Sequence, residues 1–311
     1  GGQYPAHDGH DGAVGRVDPT TGLQSVWGAD LHGHHLLGAG LPDGSHGLDV
    51  ADSADLHDGG KYTSVEAALR RCEEMLSEGA DLVDVGGEST RPAAEPVPEA
   101  EERSRVVPVI EAIAKRFDQP ISIDTMKSGV ARAALESGAS IINDVSAMTF
   151  DPLMLDVPQG FGAAVVLNHM RGAPRTMQQN PGYENVVREV RDFLSERVRL
   201  LASLGVSKDR IAVDPGIGFG KRLEDNYTLI EHLEEFDVLG CPVLLGHSHK
   251  SFIGKTPGLE NSDRLHPSVA ISVYALLKGA SILRVHDVKA TFEALRMVES
   301  IRKSGFQAPG A

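Results

Sequence analysis

Short apolar runs alternate with longer stretches in which apolar residues recur every three or four positions, from about residue 61 to the end of the chain. The runs at 81–85, 121–124, 141–144, 164–168, 211–214, 243–246 and 282–285 have the length and β-branched content of buried strands. Between them the spacing predicts helices over 64–79, 99–117, 128–137, 185–204, 223–236, 264–278 and 288–303, with a weaker one near 151–157. Ser64 is a suitable N-cap for the first, and Gly79, Gly138, Gly205 and Gly279 stop four of them.

Repeated strand–helix units without a dinucleotide-binding glycine fingerprint favour a closed (β/α)8 TIM barrel, an α/β fold in a single domain, over an open doubly wound sheet. Seven such units are readable, so an eighth strand is expected before Lys61, around 47–51. The barrel would then span 47–305, followed by a short tail at 306–311. Residues 1–46 are rich in Gly, His and Asp, and their only apolar cluster is 36–41. They are expected to form a flexible N-terminal extension; His32, His34 and His35 lack the Cys partners or regular spacing of a metal site.

Charge narrows the classes of partner. The 311 residues carry 30 basic and 44 acidic side chains, a formal net charge of -14 that repels polyanions and argues against nucleic-acid binding. An anionic substrate would need a local cluster of Arg, Lys and backbone N–H groups. The two cysteines, Cys72 and Cys241, read as buried free thiols of a reducing compartment. No stretch has the apolar length of a membrane span, and no basic-then-apolar leader pattern is present, so a cytoplasmic enzyme is expected.

Candidate chemistry lies where the strands end. These positions carry Asp84, Asp124, Asn143 with Asp144, Asn168 with His169, Asp214, the segment 246–250, and Arg284 with His286. In a barrel such ends converge on one mouth, where this fold keeps its reactive groups. For any single residue, capping of the following helix is the competing reading, about one chance in three. Asp124, Asn143, Asp214 and Lys250 suit a flat nitrogen-rich heterocycle, because a carboxylate accepts two N–H bonds from an amidine-like edge and an amide both donates and accepts. Arg91, Arg284 and His286 form a cationic group suited to phosphate or carboxylate. The run Asp214-Pro-Gly-Ile-Gly-Phe-Gly-Lys221 is a weak phosphate signal by itself, though Phe219 could wall an aromatic ligand.

These residues, with Asp58-Gly-Gly-Lys-Tyr62, Gly86-Gly-Glu-Ser-Thr-Arg-Pro92, His169-Met170, Lys250-Ser251 and Arg284-Val-His-Asp287, resemble the dihydropteroate synthase family over roughly four-fifths of the chain. The resemblance implies a (β/α)8 barrel, a homodimer, and condensation of dihydropterin-CH2-diphosphate with p-aminobenzoate in the presence of Mg2+. Carried over, it gives Asp124, Asn143, Asp214 and Lys250 to the pterin, and Arg284, His286 and Thr90 to the diphosphate. Arg91, Pro92, Phe219 and Ser251 go to p-aminobenzoate, with Asp124, Lys250, Arg91 and Asp58 as catalytic groups.

The first loop departs from the family pattern. Aligned back from Asp58, the metal-binding Asn position holds Val50 and the acidic position four residues later holds Ala54; Asp49, Asp52 or Asp55 could supply a hard oxygen after a register shift. His249 stands where the family has Arg, and Asn168 where it has Met. A pterin-binding paralogue with impaired catalysis is therefore the second reading. A pterin-dependent methyltransferase is the third, opposed by 86–92 and Arg284-Val-His286, since a methyl donor needs no diphosphate site.

Overall fold

The structure is a computed structural model and describes residues 35–39, 65–88, 90 and 96–303. Within it run β1 (His35–Ala39), α1 (Val65–Ser77), β2 (Leu82–Gly86), α2 (Glu99–Arg116), β3 (Ile121–Asp124), α3 (Ser128–Glu136) and β4 (Ile141–Asp144). They are followed by α4 (Val157–Phe161), β5 (Ala164–Asn168), α5 (Val186–Ser203), β6 (Ile211–Asp214), α6 (Leu223–Glu231), β7 (Leu244–Gly246), α7 (Leu265–Leu277), β8 (Ile282–Val285) and α8 (Val288–Lys303).

All strand pairs are parallel, in the order β6-β5-β4-β3-β2-β1-β8-β7. The ring closes between β6 and β7 through a single parallel bridge, Val213 to Val243, where the Val213 N–H donates to the Pro242 carbonyl at 2.9 Å. The fold is thus the expected α/β TIM barrel.

Alternation along each strand sorts side chains between two cores. Leu82, Ile141, Ala164, Val166, Ala212, Leu244 and Ile282 point inward and plug the barrel. Val83, Val85, Ile123, Ile142, Val165, Val213 and Leu283 point outward and join the apolar faces of the helices. Burial of each such side chain contributes about 1.5–3 kcal/mol, so both layers make the strand ends a rigid platform.

One boundary is corrected. The place between β2 and β8 is filled by His35–Ala39, not by a strand at 47–51, and the barrel therefore starts inside the stretch read as an extension. β1 offers no β-branched residue, which is why its pattern reads as a loop. Residues 1–34, 47–51 and the tail at 306–311 lie outside the described residues. The helix expected over 223–236 is divided: α6 stops at Glu231 and a 3₁₀ segment, Leu233–Leu239, completes the turn into β7. No helix among the described residues is long and apolar enough to cross a membrane.

Candidate active site

Four inward side chains from β2, β3, β4 and β8 meet at the mouth. Arg284 Nε donates to Asp84 Oδ2 at 2.7 Å and its terminal nitrogen to Asp124 Oδ2 at 3.3 Å, while Asn143 Nδ2 reaches Asp84 Oδ2 at 3.4 Å. Asp84 is completely buried at its side chain and Arg284 is 24% exposed. Burial alone would lower the Arg284 pKa, but the Asp84 and Asp124 carboxylates outweigh it and hold the guanidinium above its ordinary range. Gly86 pairs with Asp124, and a Cβ there would stand 3.4 Å from that of Asp124, so the bare backbone leaves the carboxylate room. Asp84 is a site residue that the sequence reading placed at a strand end without giving it a role; its two-residue spacing from Gly86 was the available signal.

The opposite wall comes from β6, β7 and the loops that follow. Asp214 Oδ1 accepts from the Gly216 N–H at 2.7 Å, and burial raises its pKa against the pull of Lys250. Lys250 Nζ donates to the Ile217 carbonyl at 2.5 Å and stands 4.3 Å from the centre of the Phe219 ring. Burial lowers its pKa to about 8, opposed by Asp214 and Asp124 and reinforced by Arg284. Lys250 is thus within the electrostatic reach of both acids that the sequence paired with it.

The glycines of this loop serve packing rather than anion binding. Gly216 has φ 72° and a Cβ there would lie 1.9 Å from the His169 carbonyl oxygen; one at Gly218 would lie 3.3 Å from Lys250 Cδ. Lys221 turns beneath the loop, where Nζ contacts His169 Nδ1 at 3.0 Å and donates to the Phe219 carbonyl at 3.1 Å. Burial drives the Lys221 pKa well below its usual value, and burial with Lys221 as neighbour takes His169 down to about 2. The pair is a buried strut beneath the loop that sequence reasoning did not assign.

At the rim, the His286 N–H donates to Ser248 Oγ at 3.2 Å, its Nδ1 lies 3.0 Å from the same oxygen, and the His286 carbonyl accepts from Arg71 at 2.9 Å. Burial, with Arg284 and His249 nearby, lowers the His286 pKa to about 3. This corrects the expectation of a cationic His286: it is a neutral hydrogen-bonding group, and Arg284 carries the charge. His249 has φ 54° and its Nε2 lies 2.6 Å from Asp287 Oδ2, tying the loop after β7 to the loop after β8.

Asp144 turns away from the mouth. Its carboxylate accepts from the Ser146 N–H at 2.7 Å, the Ser146 hydroxyl at 2.6 Å and the Met148 N–H at 3.1 Å, and burial raises its pKa to about 6. It holds the turn at 145–148 and does not cap the following helical segment, which Asp151 caps. Thr90 is half-buried and Ser251 exposed at the rim. Asp58, Arg91 and Pro92 lie outside the described residues, as do Asp49, Val50, Asp52 and Asp55. Among the described residues no group of three or more His, Cys, Asp or Glu side chains could hold a metal ion.

A parallel eight-stranded barrel with buried acids, an amide and two cations gathered at the C-terminal mouth defines a barrel enzyme of polar, partly anionic substrates. The pterin binding enzyme family matches residues 48–286, well over half of the chain, and the chain belongs to it. It is 44% identical over 271 residues to the dihydropteroate synthase of Escherichia coli strain K12, covering 87% of this chain and 93% of that protein. Against the Haemophilus influenzae dihydropteroate synthase it is 46% identical over 240 residues, covering 77% and 87%. A Yersinia pestis dihydropteroate synthase solved with a sulfonamide drug complex superposes with TM-score 0.80 at 40% identity, covering 88% of this chain and 96% of that one. The Xanthomonas albilineans enzyme in complex with 7,8-dihydropteroate gives TM-score 0.74 at 38% identity, covering 88% and 94%.

Proposed function

We infer that the chain is a dihydropteroate synthase, a transferase of folate biosynthesis. It joins (7,8-dihydropterin-6-yl)methyl diphosphate to p-aminobenzoate and releases 7,8-dihydropteroate and diphosphate. The observation that carries this reading is the meeting of Asp84, Asp124, Asn143 and Arg284 at one mouth, within electrostatic reach of Lys250 and Asp214. A planar heterocycle whose edge offers several N–H groups and one carbonyl matches that set of acceptors and donors.

The reaction breaks the bond between the methylene carbon and the diphosphate oxygen, and the leaving group keeps the electron pair. Arg284 meets the developing charge on diphosphate, with His286 and Thr90 as hydrogen-bonding partners. The positive charge left on the pterin methylene is delocalised into the ring and faces the Asp124 carboxylate. The aniline nitrogen then forms the new bond to carbon and gives up one proton to the released diphosphate or to water. Lys250 fixes the pterin, and Arg91, Pro92, Phe219 and Ser251 would take the ring and carboxylate of the second substrate. Holding both reactants in one mouth replaces a bimolecular encounter by an oriented one.

Magnesium is part of the same proposal. Its donors would come from Asp49, Asp52 or Asp55, since Mg2+ takes hard oxygen ligands. A homodimer belongs to the proposal too; the exposed Tyr227, Tyr274 and Leu277 support it, as an apolar face that a second copy would cover. A cytoplasmic location accords with the two buried, free cysteines.

A coupled assay of diphosphate release with pterin diphosphate, p-aminobenzoate and Mg2+ tests the reading. Turnover that needs both organic substrates is expected. Val50 at the usual metal-binding position favours the second reading, a binder with little turnover. Tight pterin binding without diphosphate release, relieved by Val50→Asn, would establish that one instead.

A further inference from the structure

The turn after β4 holds two consecutive residues in the left-handed region, Ala147 at φ 52° and Met148 at φ 61°. Both are buried, and each carries a Cβ that this conformation crowds against the backbone. Such a conformation persists only where its surroundings over-determine it. Here three side chains do so. Asp144 takes the N–H side of the turn, accepting from Ser146 and Met148. Arg197 of α5 takes the carbonyl side: Nε donates to the Ala147 carbonyl at 2.7 Å and Nη2 to the Met148 carbonyl at 3.0 Å. The two clamping groups also attract each other across the turn, Arg197 opposing the effect of burial on Asp144. Asn168 secures the near end, its Nδ2 donating to the Val145 carbonyl at 3.0 Å.

Buried charges give little net stability over apolar residues of the same volume, because desolvation offsets the attraction. What directional charged bonds supply is one defined arrangement of the turn. Neither Asp144 nor Arg197 reaches the mouth, since Asp144 points outward from β4 and Arg197 lies on the helix behind it. The groups they hold do reach it. Asn143 directly precedes Asp144 and faces inward, 3.4 Å from Asp84 Oδ2. Asn168 alternates along β5 with the inward Ala164 and Val166, so it faces inward too. Relaxing the turn to ordinary φ values would shift the backbone that leaves Asn143 and withdraw the Val145 carbonyl from Asn168. One turn therefore sets two amides on neighbouring strands.

We propose that Arg197, acting with Asp144 across this strained turn, is a positioning residue that fixes Asn143 and Asn168 at the mouth and thereby sets the affinity for the heterocyclic substrate. Naming that substrate a dihydropterin rests on the proposed function; the clamp on the turn does not. Arg197 touches no substrate and acts through the backbone at Ala147 and Met148.

The test uses the full chain with Arg197→Met, Arg197→Lys, and Arg197→Met combined with Ala147→Gly. Loss of two charge-assisted bonds in Arg197→Met should raise the dissociation constant for pterin diphosphate, measured by calorimetry, about tenfold. KM for p-aminobenzoate at saturating pterin diphosphate should stay within about twofold of the parent. Arg197→Lys keeps the charge but reaches one carbonyl at a time, so its affinity should fall between the two. Ala147→Gly is the decisive addition, because glycine adopts a positive φ without steric penalty. It should restore most of the affinity lost in Arg197→Met, which relief of a packing defect elsewhere would not do. An unchanged dissociation constant, a KM for p-aminobenzoate that rises in step with it, or no recovery on adding Ala147→Gly overturns the proposal. A parent chain that binds no pterin overturns the proposed function and the substrate named here, and amide hydrogen exchange then decides the clamp alone. Faster exchange at 146–148 in Arg197→Met, with β5 unaffected, supports the clamp, and unchanged exchange refutes it. Arg197→Lys, with and without Ala147→Gly, suffices if Arg197→Met fails to fold.

Discussion

At the residue scale, the site is governed by which charges burial permits. Lys250, lowered to about 8 by burial, is the site cation whose charge changes nearest physiological pH. Above that value it loses its proton and its attraction to Asp214 and Asp124, so kcat/KM for the pterin substrate should fall on the alkaline side. Lys250→Arg cannot deprotonate in that range and should abolish this limb of a pH–rate profile, whatever it does to the absolute rate. Arg284 poses a different question, since it is the partner of a fully buried acid. Arg284→Ala leaves Asp84 unpaired and should destabilise the fold by about 3–5 kcal/mol in urea unfolding. Adding Asp84→Asn should recover part of that loss, because the penalty belongs to the stranded charge. The neutral state of His286 was not legible in the sequence, since it follows from burial and from Arg284 and His249, which are neighbours only in the folded barrel.

Most element boundaries were legible, because apolar runs, glycine stops and helical spacing agree along the chain. α3, α5 and α8 begin and end within about two residues of the pattern, and Asn185 caps α5 by accepting from the Arg188 N–H at 3.0 Å. Two features escaped for physical reasons. β1 has the sequence His-Leu-Leu-Gly-Ala, without the β-branched residues that mark the other strands, and its place is set by pairing on both edges. Asp144 and Asn143 are neighbours in one strand, so pleating sends them to opposite sides and only Asn143 reaches the mouth. The glycine-rich loop after β6 gives the prediction at this scale. Gly216→Ala would drive a Cβ to 1.9 Å from a backbone oxygen in a left-handed conformation. It should lower stability by more than ~2 kcal/mol, beyond the conformational term alone. Gly218→Ala, also at a left-handed φ of 85°, meets only Lys250 Cδ, at 3.3 Å, and should cost less stability than Gly216→Ala while impairing pterin binding. Urea melts and pterin titrations of the two variants separate these effects.

For the whole molecule, β1 is the keystone that joins β2 to β8. A chain lacking residues 1–39 would expose two strand edges and open the interior plug. It should lose cooperative unfolding by circular dichroism, a result that a dispensable extension would not produce. The barrel's other junction is of a different kind. Between β6 and β7 the wall is held by the lone Val213–Val243 bridge, and Gly240, on the approach to β7, has open space around it. The chain therefore divides into two interlocking pieces, a large arc from β1 to β6 and a small one carrying β7 and β8. A nick at Gly240 would leave each arc with its own helices and with complementary edges to rejoin, so the enzyme is suited to reconstitution from two separately made fragments. Asp214 lies on the large arc, and Lys250 and Arg284 on the small one. Recovered activity would then report on the docking of the arcs themselves.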